Sequence, residues 1–209
     1  PRRHPSLAPR IAAPRIRRPT SRSSAVVQAR RWWAPCYALG LTLLILAPLL
    51  RPGYLLLRDA VSTPRSYLTE AALGLSESAP RAVPQDFAVA LASRLADGGI
   101  VVKALLVVGL WLAGWGAARL VAIVAPEAGL PGQLIAVTVA IWNPYVAERL
   151  LQGHWSLLVG YGCLPWAAVA MLGLRSGARG VFGLVFFLAL AGLTPTGLVL
   201  ATVVALVCV

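Results

Sequence analysis

Two short polar segments contain the side chains best suited to catalysis or anion binding. The first holds Arg58 and Asp59, which closely follow the apolar run 34–50. A carboxylate at the edge of an apolar region is suited to general-base chemistry, because its surroundings solvate the charged form poorly. The alternative is that Asp59 pairs with Arg58 or Arg65 as part of the loop architecture. The residues alone leave both interpretations open.

The second segment is WNPYVAERLLQGHW, residues 142–155, and it carries the signals of a short capped helix. Asn143 is a favoured N-cap residue, and Pro144 fits the first helical position. Gly153 can close the helix in a left-handed conformation. The segment therefore predicts a helix of about nine residues between the proline and the glycine.

We expect this helix to hold Glu148, Arg149 and His154 at a membrane surface, with Trp142 and Trp155 as interfacial anchors. Arg149 and His154 are then able to donate hydrogen bonds to a lipid-linked phosphate. The alternative is a solvated pair of Glu148 and Arg149 between tryptophans that only anchor the segment. The sequence of this segment is compatible with both interpretations.

The composition predicts that membrane helices position both segments. Hydrophobic residues make up 58% of the 209 residues, charged residues make up 12%, and the mean hydropathy is +0.76. Soluble domains carry about 25% charged residues, so this chain lacks the polar groups for an ordinary water-exposed surface. We therefore expect an all-α, polytopic integral membrane helix bundle with interfacial amphipathic helices.

The net charge of +12 is concentrated in the first 31 residues, which contain nine arginines and no Asp or Glu. Their Arg-, Pro- and Ser-rich composition is typical of a disordered basic tail, residues 1–31. Because the charge is confined to this tail, a nucleic-acid-binding domain is excluded. We expect the tail to contact anionic lipid headgroups in the cytoplasm, and a mitochondrial transit peptide is the weaker alternative.

The apolar runs divide the remaining chain. They predict a span at 32–50, an extracytoplasmic loop at 51–99, a span at 100–124, a short span with an interfacial helix at 130–155, a span at 155–174 and a final apolar run at 180–209. In the loop, Pro64 and Pro84 each predict the start of an amphipathic surface helix, and Gly98 ends the second one. The final run is interrupted at Thr194-Pro195-Thr196, which leaves open one kinked span or two half-length helices.

The arginines also predict the orientation in the cell membrane, because cytoplasmic segments are enriched in positive charge. The tail arginines favour a cytoplasmic N-terminus, and Arg175 and Arg179 favour the same side for the turn that they flank. Counting the spans between these two places gives the same answer. The 51–99 loop and the 143–154 segment should therefore share the outer face.

Several chemistries lack their usual signals. The chain has no phosphate-cradling glycine loop, no nucleophile elbow and no His/Cys cluster, so cytosolic nucleotide chemistry is unsupported. Cys36, Cys163 and Cys208 lie far apart in apolar runs, as is typical of small packing residues. The residues predict no resident cofactor and no metal ligand set, although the carboxylates are compatible with a divalent metal.

Three features together resemble the multi-spanning membrane glycosyltransferases of the GT-C fold, particularly the actinobacterial mannosyl- and arabinosyltransferase-like proteins. They are a first span with a cytoplasmic N-terminus, a long outer loop with Asp59 soon after that span, and the NPYVAERLLQGHW segment before the next span. The resemblance covers residues 32–209 as the N-terminal part of a longer fold. The start at Pro1 and the end inside the apolar run 201–209 also predict a fragment.

The resemblance implies that Asp59 is the base for an acceptor hydroxyl and that the sugar donor is carried on a polyprenyl phosphate. It also implies that Arg58, Arg149 and His154 bind the donor phosphate, with Glu148 as a supporting acid. The implied partners are membrane lipids and this donor, without nucleic acid. The alternatives are a non-enzymatic transporter or lipid flippase, whose discontinuous helices would surround a substrate, and a membrane scaffold.

Overall fold

The structure is a computed structural model. It describes residues 21–77, 83–175 and 180–208. The chain divides into two compact units, Pro1–Arg31 and Trp32–Val209. The start of the predicted disordered tail, residues 1–20, and the turn residue Arg179 lie outside the described residues. The described part of the chain is mostly helical, as the composition predicts.

The elements follow in chain order as α1 (Ser21–Leu46), β1 (Leu56–Leu57), β2 (Ala60–Val61), α2 (Gln85–Ala92), α3 (Gly98–Val124), a 3-10 turn (Pro126–Ala128), α4 (Gly129–Ile141), α5 (Pro144–Gln152), α6 (Trp155–Arg175), α7 (Val181–Ala191) and α8 (Pro195–Val207). The bounds of α1 differ from the span predicted at 32–50, since this helix begins within the predicted tail and ends four residues earlier. The bounds of α3 and α6 lie close to the predicted spans.

Capping side chains explain where α3 and α5 begin. Asp97 caps α3, and its Oδ1 accepts a hydrogen bond from the Gly99 amide at 2.8 Å. Asn143 caps α5, and its Oδ1 accepts from the Val146 amide at 2.9 Å. Gly153 closes α5 with a left-handed φ of 74°. The prediction of a capped nine-residue helix is therefore confirmed in its start, its length and its end.

The surface helix predicted to begin at Pro64 is wrong, because the structure is irregular over residues 64–69. The Ser93 hydroxyl bonds both the amide and the carbonyl group of Ser66, each at 3.1 Å. The Gly98 amide donates to the Pro64 carbonyl oxygen at 2.9 Å. These bonds to the α2–α3 region satisfy backbone groups that a helix would have paired internally.

The second predicted surface helix forms as α2 and follows Pro84, but it ends at Ala92 and not at Gly98. Gly98 is instead the first residue of α3. A Cβ atom at this position would contact the backbone carbonyl of Thr63, so only glycine permits this approach of the loop. The Asp97 cap and the loop contact together explain why α3 starts there.

Among the described residues, three helical stretches are long and apolar enough to cross a membrane: Gly98–Val124, Pro126–Gln152 and Trp155–Arg175. The second stretch comprises the 3-10 turn, α4 and α5. Extended backbone at Asn143, with φ −147° and ψ 161°, divides it. With 13 residues, α4 alone is only about 20 Å long, shorter than the roughly 30 Å apolar thickness of a bilayer.

Glycines allow α3 and α6 to pack closely. A Cβ atom at Gly109 would lie 3.0 Å from the Cα atom of Val159, and one at Gly162 would contact the carbonyl group of Gly109. The Trp166 indole N–H donates to the Leu112 carbonyl oxygen at 2.9 Å across the same interface. Close backbone approach through small residues is a common way for apolar helices to associate.

The final apolar run forms two half-length helices, α7 and α8, and not one kinked span. The Thr194 hydroxyl oxygen accepts from the Gly197 amide at 3.0 Å and caps α8. Gly197 lies against Gly160 near the start of α6. At the other end of α6, Arg175 donates to the Cys208 carbonyl oxygen at 3.5 Å. The helices α7 and α8 therefore form a hairpin against α6.

A buried apolar core lies beneath the polar segments. It joins α1, the strands, α2, α3, α5 and α6 through a set of residues that includes Leu46, Leu55, Val89, Leu106, Val146, Trp155 and Leu158. Trp155 is only 6% exposed. Its predicted place as an interfacial anchor is therefore wrong, because Trp155 is buried in a core that also contains residues of the loop and α2. Trp142, the other predicted anchor, is 70% exposed.

Candidate functional site

A two-residue hairpin turn presents Asp59. The strands β1 and β2 are antiparallel, with Leu57 opposite Ala60, so Arg58 and Asp59 form the turn between them. Arg58 adopts a left-handed φ of 41°, which is uncommon outside glycine and is found mainly in tight turns. The Asp59 amide also donates to the Gln152 carbonyl oxygen at 3.4 Å. The turn is thus attached to the C-terminal end of α5.

The side chain of Asp59 meets His154, the residue between α5 and α6. His154 Nε2 lies 2.9 Å from Asp59 Oδ2. The loop and the α5 segment are therefore in direct contact. The side-chain partner of Asp59 in the structure is His154, whereas the loop-architecture hypothesis pairs it with Arg58 or Arg65.

Arg149 continues this line of contacts into α5. Its Nη1 atom lies 3.1 Å from His154 Nδ1, and its Nη2 atom lies 2.9 Å from Glu148 Oε1. The guanidinium carbon lies 5.4 Å from the centre of the Tyr145 ring, within the range of a cation–π contact. Gln152 Nε2 donates to the same Glu148 oxygen at 3.0 Å. Every polar side chain of α5 after Asn143 therefore takes part in one network.

Exposure rises along this network from Arg149 to Asp59. The Arg149 side chain is 21% exposed and the His154 side chain is 30% exposed, whereas the Asp59 side chain is 64% exposed. The Nε atom of Arg149 is buried and has no hydrogen-bond partner among the described residues. Asp59 is therefore the member of the network that a dissolved or membrane-bound substrate reaches most easily.

A groove opens on one side of Asp59, between the hairpin turn and the α7–α8 turn. Its volume is about 620 Å³, within the range of cavities that hold small ligands. We call it the α8 groove, and its polar lining includes Arg58, Asp59, His154, Thr194 and Thr196. Arg58 gives this groove a charged donor of the kind that binds a phosphate group.

A second cavity of about 470 Å³ also reaches Asp59, and residues of the loop, α2, α3 and α6 line it. We call it the hydroxyl cavity, because most of its polar lining consists of hydroxyl side chains, those of Ser62, Thr63, Ser66, Tyr67, Thr69 and Ser76. Lysine and arginine are absent from its described lining. Its chemistry therefore suits a neutral polyhydroxyl compound better than an anion.

Four residues line both cavities: Asp59, Gln85, Asp86 and Trp155. Burial raises the pKa of the Asp86 carboxyl above its usual range. Asp59 and Asp86 therefore stand at the boundary between a groove that Arg58 lines and a cavity with hydroxyl groups. A group transfer between two bound substrates needs a base at such a boundary.

The structure brings together all five residues selected from the sequence. Asp59, His154, Arg149 and Glu148 form one continuous network, and Arg58 lies beside Asp59 at the edge of the α8 groove.

Sequence reasoning missed the hydroxyl residues of the loop and the α7–α8 turn. The signals for both were present. Residues 62–69 read STPRSYLT, which is dense in hydroxyl groups, and Thr194 precedes Pro195 as an N-cap residue does. Neither signal indicates on its own that the segment lies near Asp59.

No group of three or more His, Cys, Asp or Glu side chains that could hold a metal ion occurs in the described ranges. Comparison with protein-family models, with curated proteins and with solved structures found no match for the chain. The geometry around Asp59 is therefore the main support for a functional assignment.

Proposed function

We propose that this chain is the N-terminal part of a membrane glycosyltransferase that takes its sugar from a lipid-phosphate donor. The observation that supports this most directly is the place of Asp59, which contacts His154 and lines both the α8 groove, beside Arg58, and the hydroxyl cavity. The arrangement suits a base that acts between a phosphate-bearing donor and a polyhydroxyl acceptor. The resemblance to GT-C glycosyltransferases assigns Asp59 the same role.

In the proposed reaction, the Asp59 carboxylate accepts the proton of an acceptor hydroxyl group. The oxygen of this hydroxyl forms a bond to the anomeric carbon of the donor sugar. The bond between that carbon and the phosphate oxygen breaks, and the polyprenyl phosphate leaves with the electron pair. Arg58 lies in the groove where it can balance the negative charge on the departing phosphate.

The two cavities suggest where the substrates bind. We place the donor phosphate in the α8 groove, next to Arg58 and the Thr194 and Thr196 hydroxyl groups. We place the acceptor sugar in the hydroxyl cavity, where side chains can exchange hydrogen bonds with several of its hydroxyl groups. Asp59 then lies between the two reacting groups.

We further propose that the chain is a multi-pass protein of the cell membrane with a cytoplasmic N-terminus. Three apolar helical stretches of sufficient length support a membrane location. The arginine-rich tail and the arginines around residue 175 favour the cytoplasmic side for both of those places. With this orientation, Asp59 and both cavities lie on the outer face, where a lipid-linked donor is accessible.

The test is the Asp59→Asn substitution in the full-length protein. The amide that replaces the carboxylate can still accept a hydrogen bond from His154 but cannot take up a proton, so the variant should insert and fold while sugar transfer is lost. The measurement is the sugar content of the cell-wall and glycolipid fractions. Glu70→Gln is the matched control, because Glu70 is an exposed carboxylate of the same loop and lines neither cavity. Unchanged sugar content in a correctly inserted Asp59→Asn protein would contradict the proposal.

A transporter or lipid flippase is the second candidate, and one observation favours it. The turn between the half-length helices α7 and α8 lines the α8 groove through Thr194, Pro195 and Thr196. Discontinuous helices beside a groove are typical of transporter binding sites. A transporter should lose substrate movement on Pro195→Ala and keep it on Asp59→Asn. A transferase should show its greater loss on Asp59→Asn.

A further inference from the structure

Arg149 has both ends of its guanidinium group engaged within the protein. Nη1 lies 3.1 Å from His154 Nδ1, and Nη2 lies 2.9 Å from Glu148 Oε1. Gln152 holds Glu148 from the other side, and the face of the guanidinium lies over Tyr145. A side chain that is only 21% exposed and bound in this way has little freedom to turn toward a ligand in the groove.

The contact between Arg149 and His154 determines which nitrogen of the imidazole carries the proton. A guanidinium group donates hydrogen bonds and cannot accept them. His154 Nδ1 must therefore be the acceptor, which leaves the proton of the neutral ring on Nε2. Nε2 lies 2.9 Å from Asp59 Oδ2, so this N–H group donates to the carboxylate.

We infer that Arg149 and His154 are positioning residues for Asp59. Arg149 fixes the tautomer of His154, and His154 holds Oδ2 of Asp59 by hydrogen bonding. The other carboxylate oxygen has no side-chain partner among the described residues, so Oδ1 is the oxygen that takes the acceptor proton. The catalytic meaning of this arrangement rests on the proposed function, whereas the tautomer of His154 does not.

Arg58 therefore has a different role at the groove from Arg149 and His154. The nitrogen atoms of Arg149 and His154 that face the network are engaged with Asp59, Glu148 and each other. Arg58 is bonded to none of them and lines the α8 groove. The contact with a donor phosphate therefore falls to Arg58, and a loss at Arg149 or His154 should lower the rate of the chemical step more than donor binding.

The test is ¹⁵N NMR of the histidine ring in the full chain, labelled with [¹⁵N]histidine and reconstituted in lipid nanodiscs. The chain has two histidines, and His4→Gln leaves His154 as the single signal. Nitrogen shifts distinguish the Nε2–H tautomer, the Nδ1–H tautomer and the imidazolium form. We expect the Nε2–H tautomer. An Nδ1–H ring or an imidazolium ring in this protein would overturn the inference.

Two arginine variants provide the comparison. Arg149→Met removes the donor to Nδ1 and should convert the spectrum to a mixture of tautomers or to imidazolium. Arg58→Met removes a neighbouring positive charge without touching His154 and should leave the Nε2–H signal unchanged. If both variants keep the original spectrum, Arg149 does not select the tautomer. If Arg149→Met does not fold, the signal of the parent protein still decides between the tautomers.

A kinetic comparison tests the positioning of Asp59 separately. His154→Gln retains an amide oxygen to accept from Arg149 and an amide N–H to donate to Asp59, whereas His154→Leu retains neither. We expect His154→Leu to lower kcat by about a hundredfold with little change in KM for the donor, and His154→Gln to recover much of the loss. Equal loss in both variants would overturn the positioning role. Absence of any sugar transfer in the parent protein would contradict the proposed function and leave the NMR result valid.

Discussion

The Nε2 atom of His154 lies 2.9 Å from Oδ2 of Asp59, and this contact joins the hairpin turn to the start of α6. The two residues belong to segments that are separated in sequence by α2, α3, α4 and α5. The contact therefore brings the polar loop and the short capped helix together in the fold. Each segment supplies one half of the same network.

Asn143 should contribute to stability from both sides of the break between α4 and α5. Its Oδ1 atom caps α5, and its Nδ2 atom donates to the carbonyl oxygens of Val139 and Ala140 at the end of α4. Asn143→Ala removes both functions and should lower the free energy of unfolding by about 1–2 kcal/mol. The measurement is thermal or denaturant unfolding in lipid or detergent.

Asn143→Ser is the matched comparison for this prediction. Serine is an equally favoured N-cap residue, so it keeps an acceptor for the Val146 amide and loses the amide donors to the end of α4. It should therefore be less destabilising than alanine. Alanine and serine variants of equal stability would show that the cap contributes nothing measurable.

The close approach of α3 and α6 predicts a large effect at Gly162. A Cβ atom at this position would contact the carbonyl group of Gly109, so Gly162→Ala should force the helices apart and cost about 1–3 kcal/mol. Gly40→Ala in α1 is the control, because a Cβ atom there meets nothing within 4 Å. Its unfolding temperature should stay the same or rise. A neutral Gly162→Ala variant would mean that the interface tolerates a larger separation.

Arg58 should affect donor binding more than its neighbour in the loop. Arg58 lines the α8 groove, whereas Arg65 lines neither cavity. Arg58→Gln should therefore raise KM for the lipid-phosphate donor by roughly tenfold, the effect of losing one charge-assisted hydrogen bond. Arg65→Gln should leave the KM unchanged. Similar KM values for the two variants would remove Arg58 from the phosphate site.

The sequence was sufficient to predict those parts of the fold that depend on local signals. The α5 helix is one example, because Asn143, Pro144 and Gly153 each act through their own backbone conformation. The long apolar stretches of α3 and α6 are another, since their length and composition alone indicate helices of membrane-spanning size. Such features do not depend on which other segments lie nearby.

Features that depend on long-range contacts were not predictable in the same way. The helix expected at Pro64 does not form, because the backbone amide and carbonyl group of Ser66 bond to the Ser93 hydroxyl instead. Trp155 is buried in a core that it shares with residues of the loop and α2, which lie far from it in the sequence. For the site, residue types suggested Asp59, Arg149 and His154, but only the packed structure shows their order in the network.

Cysteine labelling of intact cells tests most directly whether the hairpin and α5 emerge together on the outer face of the cell membrane. Val61 in β2 and Leu151 in α5 are 62% and 74% exposed and lie outside the hydrogen-bond network. In a background without the native cysteines, Val61→Cys and Leu151→Cys should both react with a membrane-impermeant maleimide, and Arg175→Cys should react only after permeabilisation. Protection of either outer reporter in intact cells, with labelling after permeabilisation, would contradict the account.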